Sequence, residues 1–261
     1  MTDKLPYFEG THEPASREIY TNQQGVHDNL ERIVLKHLSF EFKKPPAQHT
    51  ATAFNEVAQH IATKPALPII LDSCCGTGLS SRRIAAEHTN AWVIGIDRSA
   101  KRLNKEEQET LPPNCIIVQA DCVDFWKLAN EAGWQLEKHF LLYPNPYPKS
   151  VQLKYRWHGH PALADLLTLG GLLEVRSNWK IYIEEFSEAL RLAKQKTAGC
   201  EVYEPRKDSL SAGVIEANSK HPVTRKLEPA EAYLTLFERK YHQSGQTLYR
   251  CLSRLSFGHT R

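Results

Sequence analysis

The chain has 261 residues, of which 41% are hydrophobic and 24% charged, and it carries a net charge of +3. That is long enough for one α/β domain with an extension, and the composition is that of a soluble globular protein rather than a disordered or fibrous one. It holds no apolar run long enough to span a bilayer, and its first residues lack the apolar stretch of a signal peptide, so the expectation is a cytoplasmic chain with no membrane partner.

Residues 1–26 are polar, contain Pro6 and Pro14, and read as an extended arm. Val26, Leu30, Ile33, Val34 and Leu38 fall near helical spacing, and 51–61 reads as a second helix after the Lys-Lys-Pro-Pro break, so 1–64 is taken as an arm with a helical extension. From Pro68 strands and helices alternate: strands at 69–72, 91–97, 115–121, 140–143 and 171–176, and helices at 79–88, 99–110, 123–132, within 161–168, and at 179–194. Such alternation predicts a mostly parallel sheet with helices on both faces, a Rossmann-like α/β fold that binds ligands beyond the carboxyl ends of its strands. A polar and basic loop follows 200–204, and 232–237 reads as a late strand. The main domain is set at 65–240 and a C-terminal tail at 241–261.

The strand 69–72 runs into Asp72-Ser-Cys-Cys-Gly-Thr-Gly78, a turn whose glycines Gly76 and Gly78 let a ligand approach the backbone. Asp97 closes the next strand about 20 residues on, the offset at which an acid accepts hydrogen bonds from ribose hydroxyls. The third glycine of the dinucleotide fingerprint would fall at Ser81, so close packing against a pyrophosphate is not provided for. This argues against NAD and for S-adenosylmethionine, which carries no phosphate and whose carboxylate can use amides at a helix N-terminus. The six cysteines, Cys74, Cys75, Cys115, Cys122, Cys200 and Cys251, show no Cys-x-x-Cys pair and no histidines at zinc-ligand spacing, so neither a metal site nor a disulfide framework is indicated.

Between Glu137 and Asp165 there is no acidic residue, but there are Lys138, Lys149, Lys154 and Arg156, interleaved with Tyr143, Tyr147, Tyr155 and Trp157. Cations for phosphates and flat rings for an exposed base are what a nucleic-acid substrate requires.

Three segments carry a resemblance: YPNPYPK (143–149), GGLLEVRSNWKIYIEEF (170–186) and HPVTRKLEPAEAYLTLFERK (221–240). In order and spacing they resemble FPDPWxK, the strand leading to TDWxxY, and RPVTKFExRG in the bacterial tRNA (guanine-N7)-methyltransferase family. The resemblance implies S-adenosylmethionine as methyl donor and a guanine in the variable region of tRNA as acceptor; the expected partner is tRNA or another structured RNA. It assigns Asp72, Gly76 and Gly78 to the cofactor loop, Asp97 to the ribose, and Asp121 with Cys122 to the adenine. It assigns Lys149 to the catalytic loop, Trp179 and Tyr182 to the TDWxxY segment, and Thr224, Arg225 and Glu228 to the late motif.

Two family aspartates are amides here, Asn145 and Asn178, and Val151 and Tyr155 replace part of an arginine-rich run. Guanine N7 has a free lone pair and no proton to lose, so positioning rather than a strong base carries the transfer. Carboxylates would still steady the cationic ring, which an amide hardly does, and Glu228 is the remaining candidate. The catalytic set is therefore Asn145, Lys149, Asn178 and Glu228, with Tyr147, Lys154, Arg156, Trp157, Trp179, Thr224 and Arg225 expected against the substrate and Lys226 as a further RNA contact. Asn145-Pro146-Tyr147 also resembles the Asn/Asp-Pro-Pro-Tyr loop of amino-directed methyltransferases, with its second proline displaced to Pro148. The alternatives are an enzyme with a shifted nucleic-acid target and a non-catalytic RNA-binding paralogue; a small-molecule methyltransferase comes third. A monomer or homodimer is expected.

Overall fold

The apolar runs offered by the sequence are buried on both faces of one sheet in the computed structural model, which describes residues 16–105, 109–196, 223–227 and 233–255. Two helices come first, α1 (Leu30–His37) and α2 (Gln48–Ile61). Then follow β1 (Ile69–Ser73), α3 (Leu79–Glu87), β2 (Trp92–Asp97), α4 (Ala100–Leu103), β3 (Cys115–Gln119), α5 (Cys122–Glu131) and β4 (Leu136–Leu142). The chain continues through α6 (Leu163–Thr168), β5 (Gly171–Ser177), α7 (Lys180–Lys196), β6 (Val223–Lys226), α8 (Leu236–Gln243) and β7 (Tyr249–Leu255).

The strands lie in the order β3-β2-β1-β4-β5-β7-β6. The first five are parallel, β7 runs antiparallel to β5, and β6 antiparallel to β7. Between β1 and β4 the winding reverses direction, which opens a crevice at the carboxyl end of β1.

Side chains alternate along each strand, as the pleat requires. Ile70, Val93, Phe140 and Leu142 pack with Ile84 and Ala85 of α3. Leu71, Ile94 and Leu141 face the opposite side, with Phe125 and Trp126 of α5 and Ile183 and Phe186 of α7. The N-terminal helices share this second layer through Leu30, Val34, Phe54, Val57 and Ile61. Phe54 sets its edge against Phe125 at 5.2 Å between ring centres.

Several boundaries differ from expectation. Of the helix expected over 99–110, the described residues form the single turn α4, because Asn104 already leaves helical geometry. Strand β4 begins at Leu136 rather than 140, and the charges this brings into it are accommodated, Lys138 Nζ reaching His88 Nε2 at 3.2 Å. In the stretch 232–237, expected as a strand, Thr235 instead caps α8 by accepting from the Glu238 amide at 2.9 Å. Residues 249–255, assigned above to a tail, form β7 inside the sheet. The segment 200–204 lies outside the described residues. Among the described residues no helix is long and apolar enough to cross a membrane.

Candidate active site

The crevice is floored by the turn that follows β1. Asp72, opposite Gly95 and Phe140 in register, is fully buried. Its Oδ2 accepts hydrogen bonds from Ser80 Oγ (2.6 Å) and Ser81 Oγ (2.7 Å) of α3, while its enclosed Oδ1 has no donor among the described residues. Burial pushes this carboxyl up to about 6, against the two serine hydrogen bonds. Ser81, at the third-glycine position, ties α3 to the sheet by its hydroxyl. The close approach comes from the other side, at Gly95, where an added Cβ would lie 2.3 Å from Ser81 Oγ.

The turn takes left-handed backbone at Cys74 (φ 64°), Gly76 (φ 66°) and Gly78 (φ 83°). A Cβ at Gly78 would strike Ile117 Cδ1 at 2.5 Å, but one at Gly76 would meet nothing within 4 Å among the described residues. Gly76 therefore faces open space at the head of the crevice. Its amide donates to Asp97 Oδ2 at 3.0 Å, the Ser99 amide donates to Oδ1 at 2.8 Å, and the Arg102 guanidinium lies 2.9 Å from Oδ1. A carboxylate has about four lone-pair sites; Asp97 is enclosed, and the half-exposed Arg102 side chain covers it, so a site for a ribose hydroxyl opens when that side chain turns away.

Across the turn, Asp121 caps α5 by accepting from the Val123 amide at 2.9 Å, and Cys122 opens that helix with its Sγ 3.6 Å from Cys74 Sγ. Open backbone at Gly76, a carboxylate at the end of β2 and a capped helix start beyond β3 fit an adenosyl group. Beneath the turn, Ser73 Oγ accepts from Trp126 Nε1 (3.0 Å) and contacts His139 Nε2 (2.8 Å), a buried prop that sequence reading did not identify.

The second part of the site leaves β4, beside β1. Tyr143 and Tyr147 have left-handed backbone (φ 52° and 46°), and Asn145 Oδ1 accepts from the Tyr147 amide at 3.3 Å, which folds the proline-stiffened loop back on itself. Asn145, Lys149 and Lys154 are exposed. Lys154 Nζ stands 5.1 Å over the half-exposed Tyr155 ring, which lies 5.6 Å from that of Tyr147.

Arg156 departs from expectation. It is fully buried, so it is not placed to touch RNA. Its guanidinium donates to Glu185 Oε2 (2.6 Å), to Gln23 Oε1 (3.1 Å), and to the carbonyls of Tyr147 (3.0 Å) and Lys149 (3.1 Å). Glu185 in turn accepts from Gln23 Nε2 (2.5 Å) and the His27 amide (3.0 Å), and pairs with His158 Nε2 (2.8 Å). Burial alone would raise Glu185, but the His158 hydrogen bond and the Arg156 charge more than offset it and hold the carboxyl at about 2. Thr21 Oγ1 donates to the Pro148 carbonyl (2.7 Å) and Asn22 Oδ1 accepts from the Ser150 amide (3.2 Å). The described part of the N-terminal arm is thus laced to the loop it was expected to precede.

Trp157 leans on Trp126 (4.7 Å), and Trp179 is buried beneath Arg156 (4.8 Å), so both support the loop from inside. Tyr182 is fully buried as well. At the end of β5, Asn178 Nδ2 donates to Gln246 Oε1 (2.7 Å), and Gln246 Nε2 to the Ser16 carbonyl (2.8 Å). Thr224 and Arg225 lie on β6 opposite Cys251 and Arg250, with Lys226 exposed at its end. Glu228 lies outside the described residues. Gln23, Glu185 and Gln246 carried no signal in sequence, because their roles come from partners far away along the chain.

A family model described as "Putative methyltransferase" matches residues 66–251. Among solved structures, an antibiotic-related methyltransferase is 11% identical with a TM-score of 0.49, covering 77% of this chain and 94% of that one. A mutant 16S rRNA (adenine(1408)-N(1))-methyltransferase of Catenulisporales acidiphilia, solved with cosubstrate SAM, is 14% identical with a TM-score of 0.47, covering 80% and 93%. The aminoglycoside resistance methyltransferase NpmB1 is 17% identical with a TM-score of 0.45, covering 77% and 93%. No curated protein matches the chain.

Proposed function

This chain belongs to that methyltransferase family, and from this premise we propose that it methylates N7 of a guanine in tRNA, with S-adenosylmethionine as the methyl donor. Its fold is the Rossmann-like one of S-adenosylmethionine-dependent methyltransferases, a mostly parallel sheet flanked by helices. The observation that carries the reading is the adjacency of β1 and β4. It brings the glycine turn, with its Asp97 anchor, and the Asn145–Lys149 loop to one edge of the crevice, with exposed lysines beside it. The three family-like segments supply the guanine and the tRNA.

When bound, the cofactor supplies a methyl group on a sulfonium, open to in-line attack by a lone pair. The protein's share is to hold the base. Asn145 uses its Oδ1 inside the loop and so offers its amide nitrogen, a donor suited to guanine O6. Asn178 gives its nitrogen to Gln246 and so offers Oδ1, an acceptor suited to the guanine N1–H or amino group. Two amides can thus divide the recognition of one base edge between them. Lys149 and Lys154 face phosphates, and Tyr147 with Tyr155 offers rings for stacking.

The test is to incubate the protein with labelled S-adenosylmethionine and unmodified tRNA transcripts, then digest and identify the methylated nucleoside. The expected product is 7-methylguanosine; another nucleoside would redirect the target. No transfer, with S-adenosylhomocysteine still bound, would favour the non-catalytic RNA-binding paralogue, a reading that rests on the two amides standing where the family has carboxylates. A companion measurement is the Lys149→Ala/Lys154→Ala variant. It should weaken tRNA binding at all sequences and reduce the salt slope of log affinity by about 1 per lysine, with cofactor affinity unchanged.

A further inference from the structure

The backbone at Cys74 is left-handed, a conformation that costs a non-glycine residue about 1–2 kcal/mol and for which glycine is the economical choice. A cysteine stands there instead, and its sulfur lies 3.6 Å from that of Cys122, which is 48 positions away and opens α5 on the far wall of the cofactor crevice. The other described cysteines, Cys75, Cys115 and Cys251, are buried. Cys74 is partly buried, the least enclosed of the described cysteines, and so the one a small oxidant reaches first.

We propose that Cys74 and Cys122 form a modification site, a dithiol that hydrogen peroxide converts to a disulfide and that thereby governs cofactor binding. The proposal rests on the cofactor reading of the glycine turn but not on the nucleotide methylated. Cys74, as thiolate, attacks one peroxide oxygen; the O–O bond breaks, the departing hydroxide takes up a proton as water, and Cys74 becomes a sulfenic acid. Cys122 then attacks the Cys74 sulfur and gives up its proton, and the hydroxyl leaves as a second water. Two thiols and one peroxide yield one disulfide and two waters.

The order follows from exposure. Cys122 is enclosed, and its sulfur contact with Cys74, together with burial, holds its thiol well above the ordinary range, which suits the resolving partner rather than the first to react. Bonded sulfurs lie about 2.05 Å apart, so closing the gap brings the two sulfurs about 1.5 Å nearer and ties the glycine turn to the start of α5. These are the two walls of the adenosine slot. Oxidation therefore pins the two walls to each other and removes their freedom to adjust to the nucleoside, and by linkage bound cofactor must protect the dithiol by the same factor.

The full-length protein is treated with hydrogen peroxide, digested without reductant and mapped by mass spectrometry. S-adenosylhomocysteine affinity is titrated before oxidation, after it, and after a thiol reductant. The expected result is a linked pair of peptides carrying residues 74 and 122, lighter by two hydrogens than the free pair. A fall in affinity of about 5–150-fold should accompany it and be reversed by the reductant. Cys74→Ser, compared with its own untreated affinity, should show neither the link nor the peroxide response. Absence of the link, pairing with other cysteines, or a linked protein with unchanged affinity would each overturn the proposal. If the link forms while the reduced protein binds no S-adenosylhomocysteine, the cofactor reading has failed and the proposed control of binding falls with it. An oxidised, unlinked protein that still binds the nucleoside would overturn the disulfide alone.

Discussion

Replacing Glu185 with alanine should lower the free energy of unfolding by about 3–5 kcal/mol, read as a shift of the urea midpoint. The carboxylate is fully enclosed and is the common partner of Arg156, His158, Gln23 and the His27 amide. Its removal strands a buried guanidinium with no compensating charge, which is the expensive half of any buried ion pair. The damage should also reach the site, since the same guanidinium holds the Tyr147 and Lys149 carbonyls. The pairing carries a pH signature. Glu185 ionises at about 2 in the folded chain against 4.5 as its ordinary value, so its stabilisation is fully present above pH 4.5 and is lost as pH falls towards 2. The native protein should lose stability through that window, and Glu185→Ala should show a flatter profile there. Equal stability of variant and parent at neutral pH would mean that the network contributes nothing net.

The second large effect is expected at Asp97. Its replacement by alanine removes the acceptor of two amides and the partner of Arg102, and leaves the Gly76 amide without its anchor. Hydrogen bonds to a charged group contribute about 1.5–3 kcal/mol each, so if Asp97 holds the ribose as proposed, its loss alone should weaken S-adenosylhomocysteine binding about 10–100-fold by calorimetry. Arg102→Ala should act in the opposite sense. It frees the Oδ1 lone pair that the guanidinium occupies, so affinity should hold or rise. A parallel loss in both variants would show that Arg102 supports the site rather than competes for it.

Much of the sheet was legible, because buried parallel strands are short apolar runs bounded by turn residues. The expected 69–72 and 91–97 became Ile69–Ser73 and Trp92–Asp97. The glycine turn was legible for the same reason: left-handed backbone leaves glycines in the sequence, although at Cys74 that marker is missing. Strand β7 was not legible, since Arg250 and Arg254 interrupt its apolar positions and its place between β5 and β6 depends on pairing that no local pattern encodes. Arg156 shows the same limit. A basic residue in a basic stretch reads as a surface cation, and its burial depends on Glu185 and on Gln23, which is 133 positions away. The Cys74–Cys122 contact is likewise long-range and leaves no spacing rule to find.

The position of β7 bears on how the protein is made. The strands that shape the crevice, β1 to β5, all precede residue 178, but the open flank of β5 is covered by a strand that ends at Leu255. On the ribosome, therefore, the cofactor half can assemble while the Leu172–Val175 edge still displays unpaired amides and carbonyls, an edge able to recruit another nascent chain. Chaperone dependence and yield should therefore follow how quickly the last strand emerges, and variants that slow its docking should aggregate during synthesis even where the finished fold tolerates them.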